Sequence, residues 1–468
     1  MILLLNPPGQ ELHTRSSRWG GRKNRSGALA PPIFLATATS VLHQAGLEAR
    51  FLDAAALNYS GEELEALLLR DRPRIVVMEV STPSIQQDYS ATLFIKERLK
   101  DVAIVFVGPH VTALPKETLI NYPVDYLCIG EYEVTLLELS KAILEGRDKS
   151  SILGIAYRDN GQVVMTPQRP LKPFDELPMP LYEQMPLDKY YDPITRQRVC
   201  VAVRTIRGCP FRCTFCVAPQ VMYNRTVRYK SPEKVVDEIE YLKKHFGVKE
   251  IFFDDETFTI NKKHVLGICN ELKNRNIHVE WSCFGRCNLV DEALLREMKA
   301  AGCYMIRYGV ESAEQKILDG IQKGMQVEDV VKAFALTRKV GMKTHATVLL
   351  GYLGETKESM TKTLEFVKNL DADYAQFAIA TPYPGTEFYE EVKAQNRLLT
   401  NRWAEYDGTC NSVVRLDGIN QKDIKDFVDF AYKDFYLRPS YILKRLLSTR
   451  TLSEVYHLLK SGLGVLQS

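Results

Sequence analysis

Two series of short apolar runs, each run followed by a helix-length segment, constrain the fold of this chain more than any other feature. In the first series the strand candidates are Ile2–Leu5, Glu48–Leu52, Ile75–Val80, Ala103–Val107 and Tyr126–Ile129. Helical patterns lie between them at Ile33–Ala45, Gly61–Leu69, Gln87–Leu99 and Pro115–Tyr122. Antiparallel neighbours need only a tight turn, whereas crossovers this long join parallel strands and cover both faces of a sheet. The second series runs Val201–Ile206, Glu250–Phe253, His278–Cys283, Tyr304–Tyr308, Thr344–Leu350 and Tyr374–Ala380. Its first helix starts at Ser231-Pro232, stops before Gly247 and carries an apolar stripe on Val235, Ile239, Leu242 and Phe246. Six units are too few to close an eight-stranded barrel. Between the series lie a hairpin, GIAYRDNGQVVMTP with Asn160-Gly161 at its turn, and an extended crossing marked by Pro170, Pro173, Pro178, Pro180 and Pro186.

The chemistry is concentrated in RGCPFRCTFC, where Cys209, Cys213 and Cys216 directly follow the run Val201–Ile206. Thiolates this close on a loop point to one soft metal centre. Structural zinc sites and ordinary iron–sulfur clusters are closed by four protein ligands. Three thiolates on a four-iron cluster leave one iron open to a substrate or cofactor. Phe211 and Phe215 interleave the ligands and would shield a cluster from water. A zinc site needs a fourth ligand, and the nearest candidate, His245, lies 29 residues beyond Cys216 on a predicted helix. The other cysteines are scattered singly, and the opening MILLLNPPG reads as a strand rather than a secretory leader. A reduced, cytoplasmic setting is expected. A net charge of +3 gives no bulk reason to bind nucleic acid, and no apolar run approaches the ~20 residues that span a bilayer.

CPFRCTFC resembles the cluster-binding loop of the radical S-adenosylmethionine (SAM) superfamily. The resemblance implies a [4Fe–4S] cluster on Cys209, Cys213 and Cys216, SAM chelated at the open iron, and a 5′-deoxyadenosyl radical that takes hydrogen from a substrate. For the second series it implies a partial (β/α)6, TIM-like barrel with its reactive face at the strand carboxyl ends, and Phe215 beside the cofactor. Asp255 and Glu256, within Asp254-Asp255-Glu256-Thr257, fall at the family's SAM-amino motif; three consecutive acids otherwise read as a solvated turn. Arg286 ends the third strand. Relatives follow this arginine with an apolar residue and Asp, where this chain has Cys287-Asn288. Glu311 and Ser312 fall at the ribose- and methionine-contacting motif, a carboxylate being able to accept two hydroxyl hydrogen bonds. Gly351 opens Gly351-Tyr352-Leu353-Gly354-Glu355-Thr356 near the adenine, with Leu353 where relatives have Pro. Thr381-Pro382-Tyr383-Pro384-Gly385-Thr386 is a further hallmark, on the substrate side.

The first series is similar to the cobalamin-binding domain found ahead of some radical SAM cores, through its NPP opening, VGPHVTALP and IGEYE. A doubly wound parallel-sheet (Rossmann-like) domain is expected, with ligands beyond the strand carboxyl ends. By this resemblance Ser81, Thr82, Gly108 and His110 flank the cobalamin nucleotide tail, with Gly130 and Glu131 of IGEYE nearby. The Asp-x-His-x-x-Gly motif of many corrinoid proteins is absent; the loop from Asn6 to Pro32 takes its place, with Trp19 expected over the lower face of the cobalt. Trp19 reads equally as a packing residue, and His110 as a strand-end histidine bonded to backbone.

The expected organisation is a cobalamin-binding domain over 1–146, hairpin and linker over 147–195, a radical core over 196–395 and a helical region over 396–468. Tyr436-Leu437-Arg438-Pro439 resembles the tail of members similar to the anaerobic magnesium-protoporphyrin monomethyl ester cyclase. The stretch Tyr441–Leu466 mixes apolar residues with Lys444, Arg445, Arg450 and Lys460, and reads as a domain cap or as a peripheral membrane contact. The family implies hydrogen abstraction from an unactivated carbon followed by methyl transfer, with a flavodoxin- or ferredoxin-type electron donor, and the substrate is expected to be a small, apolar molecule. A cyclase or other oxidative carbon-skeleton reaction is the alternative, and a metal-binding scaffold without catalysis the remote one.

Overall fold

The computed structural model describes residues 1–9, 13–15, 22–23, 29–190, 192–197 and 199–448. Trp19 and the tail beyond 448 lie outside them. The first sheet is built from β1 (Ile2–Asn6), β4 (Ala49–Asp53), β5 (Ile75–Glu79), β6 (Ala103–Val107), β7 (Tyr126–Cys128), β8 (Ile155–Asp159) and β9 (Gln162–Met165). A short antiparallel ribbon, β2 (His13–Thr14) with β3 (Arg22–Lys23), precedes the first helix. The helices between these strands are α1 (Ile33–Gln44), α2 (Gly61–Asp71), α3 (Ile85–Arg98), α4 (Pro109–Ala113), α5 (Pro115–Asn121) and α6 (Glu133–Glu145).

Strand order is β4-β1-β5-β6-β7-β8-β9, parallel as far as β7. The run Ile-Leu-Leu-Leu of β1 is buried on both faces: Ile2 and Leu4 join one apolar cluster, Leu3 and Leu5 the other. An apolar run without alternation is what a strand covered on both sides requires. The order reverses at β1, so the binding crevice of such a sheet lies beyond the ends of β1 and β5.

The expected hairpin forms the edge of this sheet. β8 pairs antiparallel with the three-residue β7, and β9 with β8. Asn160 and Gly161 both take positive φ (47° and 81°), as a two-residue turn of this kind needs. The proline-rich crossing then packs its side chains rather than hanging free: Tyr182, Met185, Leu187 and Tyr190 are buried.

The second sheet comprises β10 (Cys200–Val203), β13 (Glu250–Phe253), β14 (Glu280–Gly285), β15 (Cys303–Glu311), β16 (Lys343–Leu350) and β17 (Tyr374–Ile379), all parallel and in chain order, an open partial barrel. A two-stranded ribbon, β11 (Ile206–Arg207) with β12 (Arg228–Tyr229), stands between β10 and β13. Outside are α7 (Pro232–Phe246), α8 (Lys262–Asn274), α9 (Glu292–Ala300), α10 (Gln315–Gly320), α11 (Val327–Lys339), α12 (Lys357–Asn369) and α13 (Glu387–Ala394). The expected strand Val201–Ile206 is broken after Val203, because the amides of Thr205 and Ile206 turn away from the ladder to the carboxylate of Asp255 (2.8 Å each).

An open barrel leaves β17 as an edge with unpaired peptide groups. Helix α14 (Gln421–Tyr436) covers it. The Tyr432 hydroxyl bonds both peptide groups of Phe377 (3.2 Å each), and the Tyr436 hydroxyl does the same at Ala375 (3.0 and 2.7 Å). Helix α15 (Pro439–Ser448) follows, with Tyr441 donating to the Asp373 carbonyl. Among the described residues no helix is long and apolar enough to cross a membrane.

Candidate functional site

The cysteine loop spans from β11 to β12, and each of its ends is fixed by a side chain. Gly208 takes φ +91°, and a Cβ there would lie 1.9 Å from the Thr226 carbonyl oxygen, so only glycine makes this turn. Its amide donates to Glu256 (3.0 Å), which is also paired with the buried Arg204. Asp255 accepts from the amides of Thr205 and Ile206 and from the Thr205 hydroxyl (2.7 Å). Burial pushes its carboxyl up to about 6, against the pull of Arg204 and these hydrogen bonds. His264 reaches the same hydroxyl through Nε2 (3.2 Å). Asp255 and Glu256, expected at the SAM amino group, are thus committed to shaping the loop.

Past the turn, the amide of Gln220 donates to the carbonyls of Cys213, Thr214 and Cys216 (3.1, 3.0 and 3.0 Å). Thr214 ties the loop to three other segments: its amide donates to Ile321, its carbonyl accepts from Phe388, and its hydroxyl lies 2.8 Å from that of Tyr352. Cys209 and Cys213 are buried, Cys216 is half-buried, and Phe215 packs against the barrel core. Burial pushes the Cys209 thiol up; Thr257 Oγ1 stands 3.8 Å from its sulfur. Among the described residues no three His, Cys, Asp or Glu side chains are grouped so as to hold a single ion. Three thiols on one loop match in number a cluster whose ligands sit on separate irons, which would leave a fourth iron without a protein ligand.

The other strand ends converge on this loop. Arg286 places a guanidinium nitrogen 3.9 Å from Cys213 Sγ. Glu311 adopts φ +62° and accepts from Lys323 (2.6 Å), both being buried. Gly309 makes room for this pair, since a Cβ there would lie 2.5 Å from Glu311 Oε1 and 2.6 Å from Lys323 Nζ. The sequence signals Lys323 only weakly, as a lysine held between turn-formers in Gly320-Ile321-Gln322-Lys323-Gly324, where Gln322 and Gly324 have positive φ. Ser312 lies on the other side of its strand end, bonded to Thr363 and to the Glu314 amide, and braces the turn.

At the end of β16, Gly351 packs on Ile424 of α14 and donates to Glu355 (2.5 Å), as does Tyr352 (3.2 Å). Burial pushes the Glu355 carboxyl from its ordinary 4.5 up to about 7, only partly offset by these amides. The folded chain therefore holds a proton there that the unfolded chain has released, and stability falls as pH rises through that window. Glu355→Gln is expected to flatten this slope. Between about pH 4.5 and pH 7 the wild type should lose up to about 3 kcal/mol relative to the variant, read from urea midpoints. Parallel curves would show that the carboxyl titrates alike in the folded and unfolded chain.

In the first domain, Ser81 and Ser84 join hydroxyls (2.9 Å) at the end of β5, and Thr82 Oγ1 lies 3.3 Å from His110 Nδ1. Gly108 takes φ +103° with Val80 oxygen 3.0 Å from its would-be Cβ. His110 is fully buried, which pushes its pKa down to about 3, and its Nε2 has no hydrogen-bond partner. Ser81, Thr82, Gly108 and His110 gather at the carboxyl ends of β5 and β6, with an orphaned polar nitrogen among them, which fits the recognition of a polar ligand. Gly130 donates to Thr112 at the same sheet end (3.0 Å). Glu131 goes elsewhere, accepting from Arg207 (2.9 Å) and Arg228 (2.6 Å) of the ribbon.

The carboxyl-end loops of the two sheets meet. A Cβ on Gly385 would lie 3.0 Å from Ala113 Cβ of α4, and Trp403 packs edge-on to His110 (5.5 Å) while donating to Glu117 (2.9 Å).

Residues 203–367 match the radical SAM superfamily, and residues 23–140 match the B12 binding domain. The chain is 34% identical over 445 residues to the uncharacterized methyltransferase PH0819 of Pyrococcus horikoshii, covering 95% of this chain and 94% of that protein. It is 30% identical over 424 residues to the anaerobic magnesium-protoporphyrin IX monomethyl ester cyclase of Rubrivivax gelatinosus, covering 88% and 75%. Among solved structures, the radical SAM methyltransferase TsrM from Kitasatospora setae, with cobalamin and a [4Fe–4S] cluster bound, is similar at a TM-score of 0.70 and 19% identity, covering 100% and 99%. The cobalamin-dependent SAM radical enzyme OxsB reaches 0.74 at 17% identity, covering 99% and 71%. At such identities these two structures establish the fold.

Proposed function

The chain belongs to the radical SAM superfamily and carries a B12-binding domain ahead of its radical core, and we propose that it methylates an unactivated carbon of a small, apolar molecule. Its cofactors are a [4Fe–4S] cluster, SAM and cobalamin. When bound, the cluster and SAM supply a hydrogen-abstracting 5′-deoxyadenosyl radical, and cobalamin supplies the methyl group. The observation that carries the reading is the meeting of the two strand-end surfaces, because transfer between two cofactors needs them held face to face.

In this reading Cys209, Cys213 and Cys216 hold the cluster, and Gln220, Asp255 and Glu256 fix the loop that presents them. Glu311 receives SAM hydroxyls while Lys323 fixes its carboxylate. Gly351 keeps the adenine side open, and Phe215 and Arg286 line the cluster. Ser81, Thr82, Gly108 and His110 take the cobalamin tail, with Gly130 at the edge of the crevice. A flavodoxin- or ferredoxin-type protein delivers the electron, in the cytoplasm. A second reading, an oxidative cyclase reaction with the same cofactors, is favoured by the 30% identity to the Rubrivivax enzyme.

The test is anaerobic reconstitution with iron, sulfide and hydroxocobalamin, followed by SAM, a strong reductant and a panel of apolar small molecules. Bound corrinoid, 5′-deoxyadenosine and S-adenosylhomocysteine in matched amounts are expected for methyl transfer. Deoxyadenosine without homocysteine product would overturn methyl transfer in favour of the cyclase reading.

A further inference from the structure

We propose that Arg286 and Asn288 together set the reduction potential of the cluster, by holding an unneutralised positive charge against Cys213. The proposal rests on the assignment of the cluster to Cys209, Cys213 and Cys216. Arg286 is 5% exposed, and its guanidinium is fixed on every side. Its carbon sits 3.8 Å over the ring of Phe211, between the first two cysteines, and Nη1 points at Cys213 Sγ from 3.9 Å. Nη2 donates to the Gly324 carbonyl (3.2 Å) and Nε to Asn288 Oδ1 (3.0 Å).

Apart from the Cys213 sulfur itself, these acceptors are neutral. The adjacent cation, Lys323, has its own carboxylate in Glu311. Among the described residues no carboxylate stands within ion-pair distance of Arg286. This is where Cys287-Asn288 departs from the expected apolar-Asp pair. An aspartate at 288 would keep the hydrogen bond to Nε and neutralise the guanidinium, while giving up the bond that Asn288 Nδ2 donates to the Gly324 carbonyl (3.1 Å). The amide keeps the geometry and leaves the charge whole.

A charge of this kind acts on one step. The cluster takes one electron from an external one-electron donor, passing from [4Fe–4S]2+ to [4Fe–4S]+, with no bond made or broken and no proton moved. Net charge and hydrogen bonds at the ligating sulfurs are among the factors that set such potentials. A buried cation beside one sulfur favours the more negative, reduced state, because the low dielectric of the site screens it poorly. Arg286 acts here through Cys213 and is a positioning residue in electrostatic terms.

The measurement is an electron-paramagnetic-resonance redox titration of the reconstituted full chain without SAM. Asn288→Asp, which keeps the acceptor for Arg286 Nε and loses only the donor to the Gly324 carbonyl, is expected to shift the midpoint to more negative potential at unchanged iron content. Arg286→Gln is expected to shift it in the same direction, and Arg286→Lys to shift it less than Arg286→Gln. Should Arg286→Gln fail to load its cluster, Asn288→Asp decides alone. A wild-type midpoint in loaded Asn288→Asp protein would overturn the proposal. A wild-type chain that takes up no cluster would instead overturn the assignment beneath it.

Discussion

Cys213→Ala is expected to abolish cluster loading and, with it, all 5′-deoxyadenosine formation. In the proposed assignment three thiols on one loop hold the cluster, and none can be spared where an open iron must remain for SAM. Among the described residues no other His, Cys, Asp or Glu joins a set that could replace the lost sulfur. Cys287, although nearby in sequence to Arg286, is buried, and burial pushes its thiol up to about 12. The loop itself should survive the change. Its shape rests on the Gln220 amide, the Thr214 contacts and the Asp255 carboxylate, none of which involves the Cys213 side chain. Removal of one buried sulfur should cost no more than about 1–2 kcal/mol. Iron and sulfide content, the cluster absorbance and product formation should therefore collapse while the urea midpoint stays close to wild type. Retained iron at the wild-type ratio would mean that the ligand set has been misassigned.

How much of this was legible in the residues depends on the range of the interactions involved. Strand–helix alternation is local, and it located both parallel sheets and their order. The cysteine spacing is local too. What stayed hidden are contacts between side chains and distant backbone. The end of β10 at Val203 depends on Asp255, fifty positions away from the Thr205 amide it holds. The sealing of β17 depends on two hydroxyls of α14 that periodicity marks only as helix positions. Lys323 gave a weak turn signal and no hint that Gly309 had been kept small for it. In the opposite direction, Glu131 carried a family motif that suggested a cofactor, yet the ribbon arginines take its carboxylate. A sequence pattern shows which residue types gather at the strand ends, and the fold then decides which of them face a ligand and which face each other.

That last case leads to the second large effect, Arg207→Met, which is expected to destabilise the folded chain by about 3–5 kcal/mol. Arg207 is 2% exposed. Ribbon register places it opposite Arg228, so two guanidiniums face the loop Glu131-Tyr132-Glu133 of the first domain. One arm meets Glu131 (2.9 Å) and the other Glu133 (2.6 Å), while the rings of Phe34 and Phe174 close over the cation (5.0 and 4.8 Å). Burial alone would push the carboxyl of Glu131 up; Arg207 and Arg228 more than offset it, holding that group below its ordinary value. Methionine would keep the packing against both rings and strand Glu133 in a dry seam. The loss is therefore that of a buried charge without its partner, and it is a large part of the ~5–15 kcal/mol that a domain has in total. The double variant Arg207→Met with Glu133→Leu should recover most of it, since replacing a buried ion pair by apolar groups is often neutral. Denaturation midpoints of the single and double variants, read with corrinoid binding, separate the two possibilities for the seam. Recovery in the double variant with weakened corrinoid binding would make the ion cluster a device for setting the angle between the two cofactor surfaces. A single variant as stable as wild type would place the cohesion of the seam in the buried linker residues Tyr182, Met185 and Leu187 instead.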